Sequence, residues 1–476
     1  MKNIKNIILI LTATLMFSSC EDDLNLAPHN SLTPDSFYKT LEDYKLANEG
    51  LYAGFFTSNY YGNNGILSRP DIVSDNVILA QKGRKSNQSF HEWRYSPNLS
   101  WNMLYGAYVV NGRANYMVDN INNLVAGPER DNYLGMAKAS RALAMFDLLR
   151  VYSKIPTQSS DANASLGISI NTDTNPNAQV TRSTVADSYA WVIDQLESAK
   201  TLISSTNDVD EMNLEAVNGI LSRVYLYNGD YQKCIDAANE VTTPIASVSD
   251  FPNVWNDSSV EGVLFKINQD RVQDNISLGT DWSQSVSGNV IPEYVLSFEL
   301  SNLYQANDVR KTSYSFLGTD SDGNTYNAIF KMFGETGQNN GVVDAKVIRS
   351  AEVYLNKAEA YFMNSDEANA LIALDMVRQN RYTGFVSGNE TGSALIDAIK
   401  LERRLELFAE GHRFFDLKRW GNSVSRSTTD GEFSDGTGTP VPAAFTNMAS
   451  GSHLFQFPIP QSERDVFPGL EQNPGY

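Results

Sequence analysis

The chain is poor in cysteine, histidine and basic charge. It holds 2 Cys and 4 His in 476 residues, with 37 Lys+Arg against 56 Asp+Glu. Two cysteines cannot build a disulfide scaffold. His29, His91, His412 and His453 show no metal-ligand spacing, and neither a His-Glu-x-x-His nor a Cys pair occurs. A Gly-x-Ser-x-Gly elbow and a phosphate loop are also missing. We therefore expect no metal, no cofactor and no thiol or serine catalysis. The formal net charge of -19 argues against a nucleic-acid binder, which needs basic surface to displace counterions from phosphate. What is present is a globular composition. Aromatics at 11% and hydrophobics at 42% are too rich for a disordered chain. The length allows a substantial core.

The N-terminus reads as an export signal over residues 1–19. Lys2 and Lys5 precede an apolar run from Ile7 to Phe17, which is too short to span a bilayer. Ser18, Ser19 and Cys20 follow. This resembles the lipobox of bacterial lipoproteins, which implies lipidation of Cys20 and a tether over residues 20–32. Acyl chains contribute about 0.8 kcal/mol per buried CH₂. Glu21, Asp22 and Asp23 resemble an export tag for the outer face of the outer membrane; a plain solvated tether is the alternative. No later segment is long and apolar enough to span, so the body is expected to be tethered and soluble.

The body reads as mainly α. Thr33-Pro34 looks like a helix start, with Phe37, Leu41, Tyr44, Ala47 and Leu51 on one face. Helical periodicity returns over 101–124, 129–152 and 183–204. Residues 215–241 resemble a tetratricopeptide repeat, a helix pair with Ser222 and Cys234 at the small positions. Residues 351–378 resemble a second copy, with Ala358 and Ala370 there. A last helix is expected over 394–420, carrying Glu410/Arg413 and Asp416/Arg419 as pairs three apart. Loop-rich insertions are expected at 57–100, 243–345 (with one strand, 262–268) and 421–453. Asp320-Ser-Asp-Gly-Asn324 begins like a calcium loop but lacks the later Gly and Glu, so it reads as a turn.

Three segments together are specific: VIRSAEVYLNKAEAYF (347–362), ERRLELFAEGHRFFDLKRWG (402–421) and FQFPIPQSERDVFPGLEQNPGY (455–476). They resemble the SusD/RagB family of outer-membrane lipoproteins. Asp465-Val-Phe-Pro departs from the usual Asn-rich turn. The resemblance implies one SusD-like α-helical domain over 33–476, with tetratricopeptide-like pairs and a little β. It implies a non-catalytic, cell-surface glycan binder that passes oligo- or polysaccharide to a SusC-like TonB-dependent barrel.

Sugar binding needs flat apolar faces and planar polar groups, gathered on loops. Residues 60–101 offer Tyr61, Asp71, Asp75, Asn76, Trp93 and Tyr95. Residues 281–294 offer Trp282 and Tyr294. Trp93, Trp282 and Tyr294 are the candidate exposed platforms. Trp101, Trp191, Trp255 and Trp420 read as packing residues. Two other readings stay open: a tetratricopeptide adaptor for peptide or protein, and a lipid-anchored glycan-cleaving enzyme. The sequence does not name the glycan.

Overall fold

The computed structural model describes residues 33, 36–175, 178–269, 277–286, 289–334 and 341–476. Cys20, the expected signal segment and Pro34 lie outside the described residues. Helix accounts for 45% and strand for 10%, so the fold is mainly α.

Ten helices carry the body: α1 Leu41–Phe55, α2 Leu104–Asn120, α3 Pro128–Tyr152, α4 Val185–Lys200, α5 Leu214–Asn228, α6 Tyr231–Asn239, α7 Ser350–Met363, α8 Glu367–Arg378, α9 Gly392–Glu406 and α10 Arg413–Arg419. Each of α2 to α6 packs on the next, α3 and α4 doing so across the longer loop that joins them. α1 starts later than expected. A capping box sets its start: Thr40 Oγ1 accepts from Asp43 N–H, and Asp43 accepts from Thr40 N–H at 2.8 Å. Tyr38, at φ 57°, breaks the backbone before it.

The two expected helix pairs are α5–α6 and α7–α8, and they touch. Gly229 ends α5 in the left-handed region at φ 85°, as a tight turn into α6 needs. Buried Cys234 donates its thiol to the Asn356 carbonyl at 3.6 Å, and Asn356 Nδ2 donates to Ser222 Oγ at 3.0 Å. The small residues thus mark the approach between pairs. Burial pushes the Cys234 thiol far above its ordinary range, which suits a packing residue.

More β structure appears than the single expected strand. Its strands are β1 Val77–Leu79, β2 Val263–Ile267, β3 Ser283–Val286, β4 Asn289–Pro292, β5 Tyr294–Leu296, β6 Ser315–Thr319, β7 Thr325–Ile329, β8 Ala345–Arg349 and the short paired β9 Val424–Ser425 and β10 Asn447–Met448. β1, β5, β7 and β6 form one antiparallel sheet in that order. β2 pairs with β8, so the two ends of the 243–345 insertion meet. Arg223 on α5 locks this junction by bonding both carboxylate oxygens of Glu352 and the Val347 carbonyl.

The expected continuous last helix is corrected. α9 ends at Glu406 and α10 starts at Arg413. Between them Ala409 and Gly411 take φ 58° and 80°. A Cβ at Gly411 would lie 2.2 Å from the Ile66 carbonyl oxygen, so only glycine allows this approach. The break sends the charges to separate partners. Asp416 and Arg419 pair as expected at 2.9 Å. Glu410 instead binds Lys331 and Arg349, and Arg413 binds Asp75.

The main hydrophobic cluster runs from Tyr44 to Leu470, and a smaller one unites α7, α8 and α9.

Candidate functional site

The eight residues singled out as ligand contacts sit in one neighbourhood, but all are buried. Trp93, Trp282 and Tyr294, the expected exposed platforms, are therefore corrected to inward-facing residues. Trp93 donates its indole N–H to the Val73 carbonyl at 2.9 Å, and Arg426 lies over its ring at 4.3 Å. Its backbone takes φ 51°, a strained setting that such contacts must maintain. The Tyr95 hydroxyl donates to the Leu454 carbonyl, and its ring stacks on Phe457. The Tyr61 hydroxyl donates to Asp147 at 2.9 Å. The Tyr294 hydroxyl donates to the Ser86 carbonyl at 2.7 Å. Trp282 packs against Phe408.

The polar members are clamps as well. Asn76 Nδ2 donates to Asp71 at 2.7 Å, and Asn76 Oδ1 accepts from Arg404 at 2.8 Å. Burial pushes the Asp71 carboxyl up to about 7. Asp75 accepts two bonds from Arg413, at 2.8 and 2.7 Å. Burial opposes its charge, yet Arg404 and Arg413 together hold it well below the usual carboxylate range. Arg426 donates to the carbonyls of Ile72, Ser74, His91 and Phe445. It thereby ties the 421–453 loop to the 57–100 loop, although burial lowers its pKa to about 9. Aromatic and polar loop residues can bind a ligand or satisfy a folded loop's own backbone; here they do the second.

An exposed aromatic patch lies at the β6 edge of the sheet that also carries Tyr294. Phe316 on β6 and Phe330 and Phe333 after β7 form a triangle with centroids 5.8, 5.5 and 5.6 Å apart. None is buried; Phe330 is 42% exposed, and neighbouring Leu317 is 70% exposed. None of these four joins a core cluster. A contiguous exposed apolar patch marks an interaction surface more often than a lone residue does. Phe316 meets the other two edge-on, at 78° and 67°, which leaves the tilted pair Phe330 and Phe333, 34° apart, as the apolar face for a ring-shaped ligand.

Buried chemistry fixes this patch. Between Phe330 and Phe333 the chain turns inward at Lys331. Its ammonium reaches Glu410 at 2.6 Å and the Phe408 carbonyl at 2.5 Å. It also sits 4.0 Å from the rings of both Trp255 and Tyr314. Burial lowers the Lys331 pKa to about 7. Gly279 closes the other side. Its N–H donates to the Gly341 carbonyl, whose own N–H donates to the Phe333 carbonyl, both at 2.9 Å. A Cβ on Gly279 would lie 2.0 Å from the Met332 carbonyl oxygen. Sequence reading missed this patch. Its one signal is Phe330-Lys-Met-Phe333, apolar residues left over once strand alternation ends.

The far end of the β6–β7 hairpin carries polar groups. Asp320 accepts the backbone N–H groups of Asp322 and Asn324 and pairs with Lys82 at 2.8 Å. It organises a turn, as expected. Among the described residues no three His, Cys, Asp or Glu side chains are grouped to hold a metal. The conspicuous acids Glu402, Glu406, Glu410 and Asp416 are all buried in ion pairs with arginines or lysine.

A helical body with tetratricopeptide-like pairs, carrying a clamped loop layer that presents an aromatic patch, defines a recognition protein. The chain matches the SusD family over residues 305–476. Over residues 45–226 it matches a SusD-like family described as starch-binding associating with outer membrane. SusD-like protein P38 of Formosa agariphila is 24% identical, covering 89% of this chain and 92% of the relative. A SusD superfamily protein from Bacteroides thetaiotaomicron superposes with a TM-score of 0.79 at 25% identity, covering 91% of this chain and 100% of that one. A SusD-like carbohydrate binding protein from Bacteroides vulgatus reaches 0.76 at 21% identity, covering 90% and 97%. The chain belongs to the SusD-like family.

Proposed function

We propose that this chain is a non-catalytic glycan-binding lipoprotein of the cell surface, which hands oligo- or polysaccharide to a SusC-like TonB-dependent barrel. The exposed phenylalanine triangle carries the reading, because a wall of aromatic rings suits the C–H face of a sugar. Family membership and the carbohydrate-binding relative support it. The body from residue 33 onward acts as one domain, tethered by acyl chains on Cys20.

Calorimetric titration against plant, fungal and host polysaccharides tests the ligand. Phe330→Ser should weaken the glycan bound by about tenfold while leaving the melting temperature unchanged. Saturable binding to no polysaccharide would sink the reading. Cys20→Ser should release the protein from the membrane fraction. Co-purification with an outer-membrane barrel tests the handover, and isolation of the chain alone from mild detergent counts against it.

One observation favours the adaptor reading as the second choice. α4, α5 and α6 border an open groove of about 830 Å³ lined by Asp194, Glu197, Tyr225, Lys233 and Asp236, a mixed-charge surface of the kind a peptide's polar side chains can meet.

A further inference from the structure

We propose that the groove over the end of α5 docks a net-basic segment of a partner protein. This deepens the adaptor reading of that groove, on which it rests, and leaves glycan capture at the phenylalanine triangle as a separate function. α4 and α6 both pack on α5 without packing closely on each other. That leaves the open groove of about 830 Å³ between them. Its apolar lining is small: Ala186, Ala190, Ile193 and Ala237. Tyr225 is the aromatic residue on its floor, and it is 3% exposed. A sugar would find no flat ring to stack on.

The charges lining the groove are held in place but not cancelled. Asp194, Glu197 and Lys200 follow at three-residue steps on α4, and Asp230, Lys233 and Asp236 do so from the cap of α6 onward. Opposite charges three apart on a helix can pair. Yet Glu197 with Lys200, Asp230 with Lys233, and Lys233 with Asp236 make no ion pair, and none of the six pairs with any other described residue. Neutral donors take the carboxylates instead. Asp194 accepts from Gln195 at 3.1 Å, and Glu197 from the Tyr225 hydroxyl at 2.8 Å. Asp230 accepts from Asn228 and Asp236 from Gln232, both at 2.9 Å. The Lys233 ammonium lies 5.5 Å from the Tyr225 ring. Tyr225 thus engages one charge from each wall and neutralises neither.

The acids of α9 and α10 behave differently. Glu402, Glu406 and Asp416 are spent on arginines. In the groove the carboxylates of Asp194, Glu197, Asp230 and Asp236 face only the ammoniums of Lys200 and Lys233, so negative charge is in excess. Uncancelled charge around a small apolar floor steers and selects a partner of opposite sign. The carboxylates are already oriented by their neutral donors, which lowers the ordering cost of docking. Lysine and arginine heads answer the excess carboxylates, and their apolar stems cover the alanines. A segment rich in aspartate or glutamate is repelled, and so is a nucleic acid.

Fluorescence anisotropy with a labelled twelve-residue peptide alternating alanine and lysine, and with its alanine–glutamate counterpart, tests the groove. The proteins are the wild type, Asp194→Lys with Asp236→Lys, and Glu49→Lys with Asp397→Lys as a control. All four substituted side chains are exposed, and the control pair lies on α1 and α9, outside the groove. The wild type should bind the lysine peptide at least about tenfold more tightly than the glutamate peptide, and less tightly as salt rises. The groove variant should lose at least about tenfold of that affinity, and the control should stay within about twofold. Both variants should bind glycan as the wild type does. Equal losses in the groove and control variants overturn the proposal, because the attraction is then to the chain's overall acidity. If the two peptides bind equally well, selection for basic charge falls and the adaptor reading stands. If neither binds, both fall, and glycan capture at the phenylalanine triangle is untouched.

Discussion

Replacing Asp71 by asparagine should change how the protein's stability depends on pH. The carboxyl is completely buried. One oxygen accepts from Asn76, and the other has no hydrogen-bond partner. Burial raises its pKa from an ordinary 3.8 to about 7, although Lys331 and Arg413 pull the other way. The native protein therefore keeps this proton up to neutral pH, whereas the unfolded chain loses it near pH 4. Between those limits the unfolded state binds fewer protons, so stability falls as pH rises. The contribution is fully present below about pH 4 and is lost by about pH 7, for a total of about 4 kcal/mol. About 2 kcal/mol of that falls between pH 5 and pH 7. Asparagine keeps the shape and the bond from Asn76 but does not titrate. Asp281, raised to about 6 by burial, adds its own slope to both proteins and cancels in the difference. Urea unfolding followed by far-UV circular dichroism at half-unit steps from pH 5 to pH 8 measures that difference. Asp71→Asn should gain on the wild type steadily up to about pH 7 and then hold level. A constant offset across the range would refute the protonated-carboxyl argument.

Two further perturbations probe the loop layer and the helix break. Arg413→Ala leaves Asp75 buried with only Arg404 beside it, so the protein should lose about 3–5 kcal/mol in urea unfolding; Arg413→Ala together with Asp75→Asn should recover part of it. Gly411→Ala forces a Cβ against the Ile66 carbonyl in a left-handed backbone, and should cost well over about 1 kcal/mol by melting temperature. Gly112→Ala on α2, where a Cβ meets nothing within 4 Å, should instead stabilise by about 0.5–1 kcal/mol. Equal effects of the two alanines would refute the distinction between a required glycine and a spared one.

The helices were legible because a buried face repeats every three to four residues. α2 and α4 fall within the expected spans, α3 starts one residue before its own at Pro128, and strand β2 lies within the one strand foreseen. The two helix pairs were legible through small residues at set positions, and the closing Phe-Pro-Ile-Pro segment carried the family. The break after Glu406 was not legible. Glu-Gly-His in a helical pattern does not reveal that the Ile66 carbonyl oxygen lies 2.2 Å from where a Cβ on Gly411 would stand. The exposure of the candidate ligand residues was misread for a related reason. Trp93, Asp75 and Tyr294 have the composition of a sugar site, but whether a loop's polar groups face solvent or its own backbone is set by what packs over it. Arg426 and Arg413, more than 300 positions from Trp93 and Asp75, supply that cover for those two.

Local periodicity, turn chemistry and short motifs thus determined class, repeat character and family from the chain alone, since each depends on residues close in sequence. Burial of the loops, exposure of the phenylalanine triangle and the groove between α4 and α6 were decided by tertiary structure. Each depends on contacts between segments whose spacing no local pattern encodes.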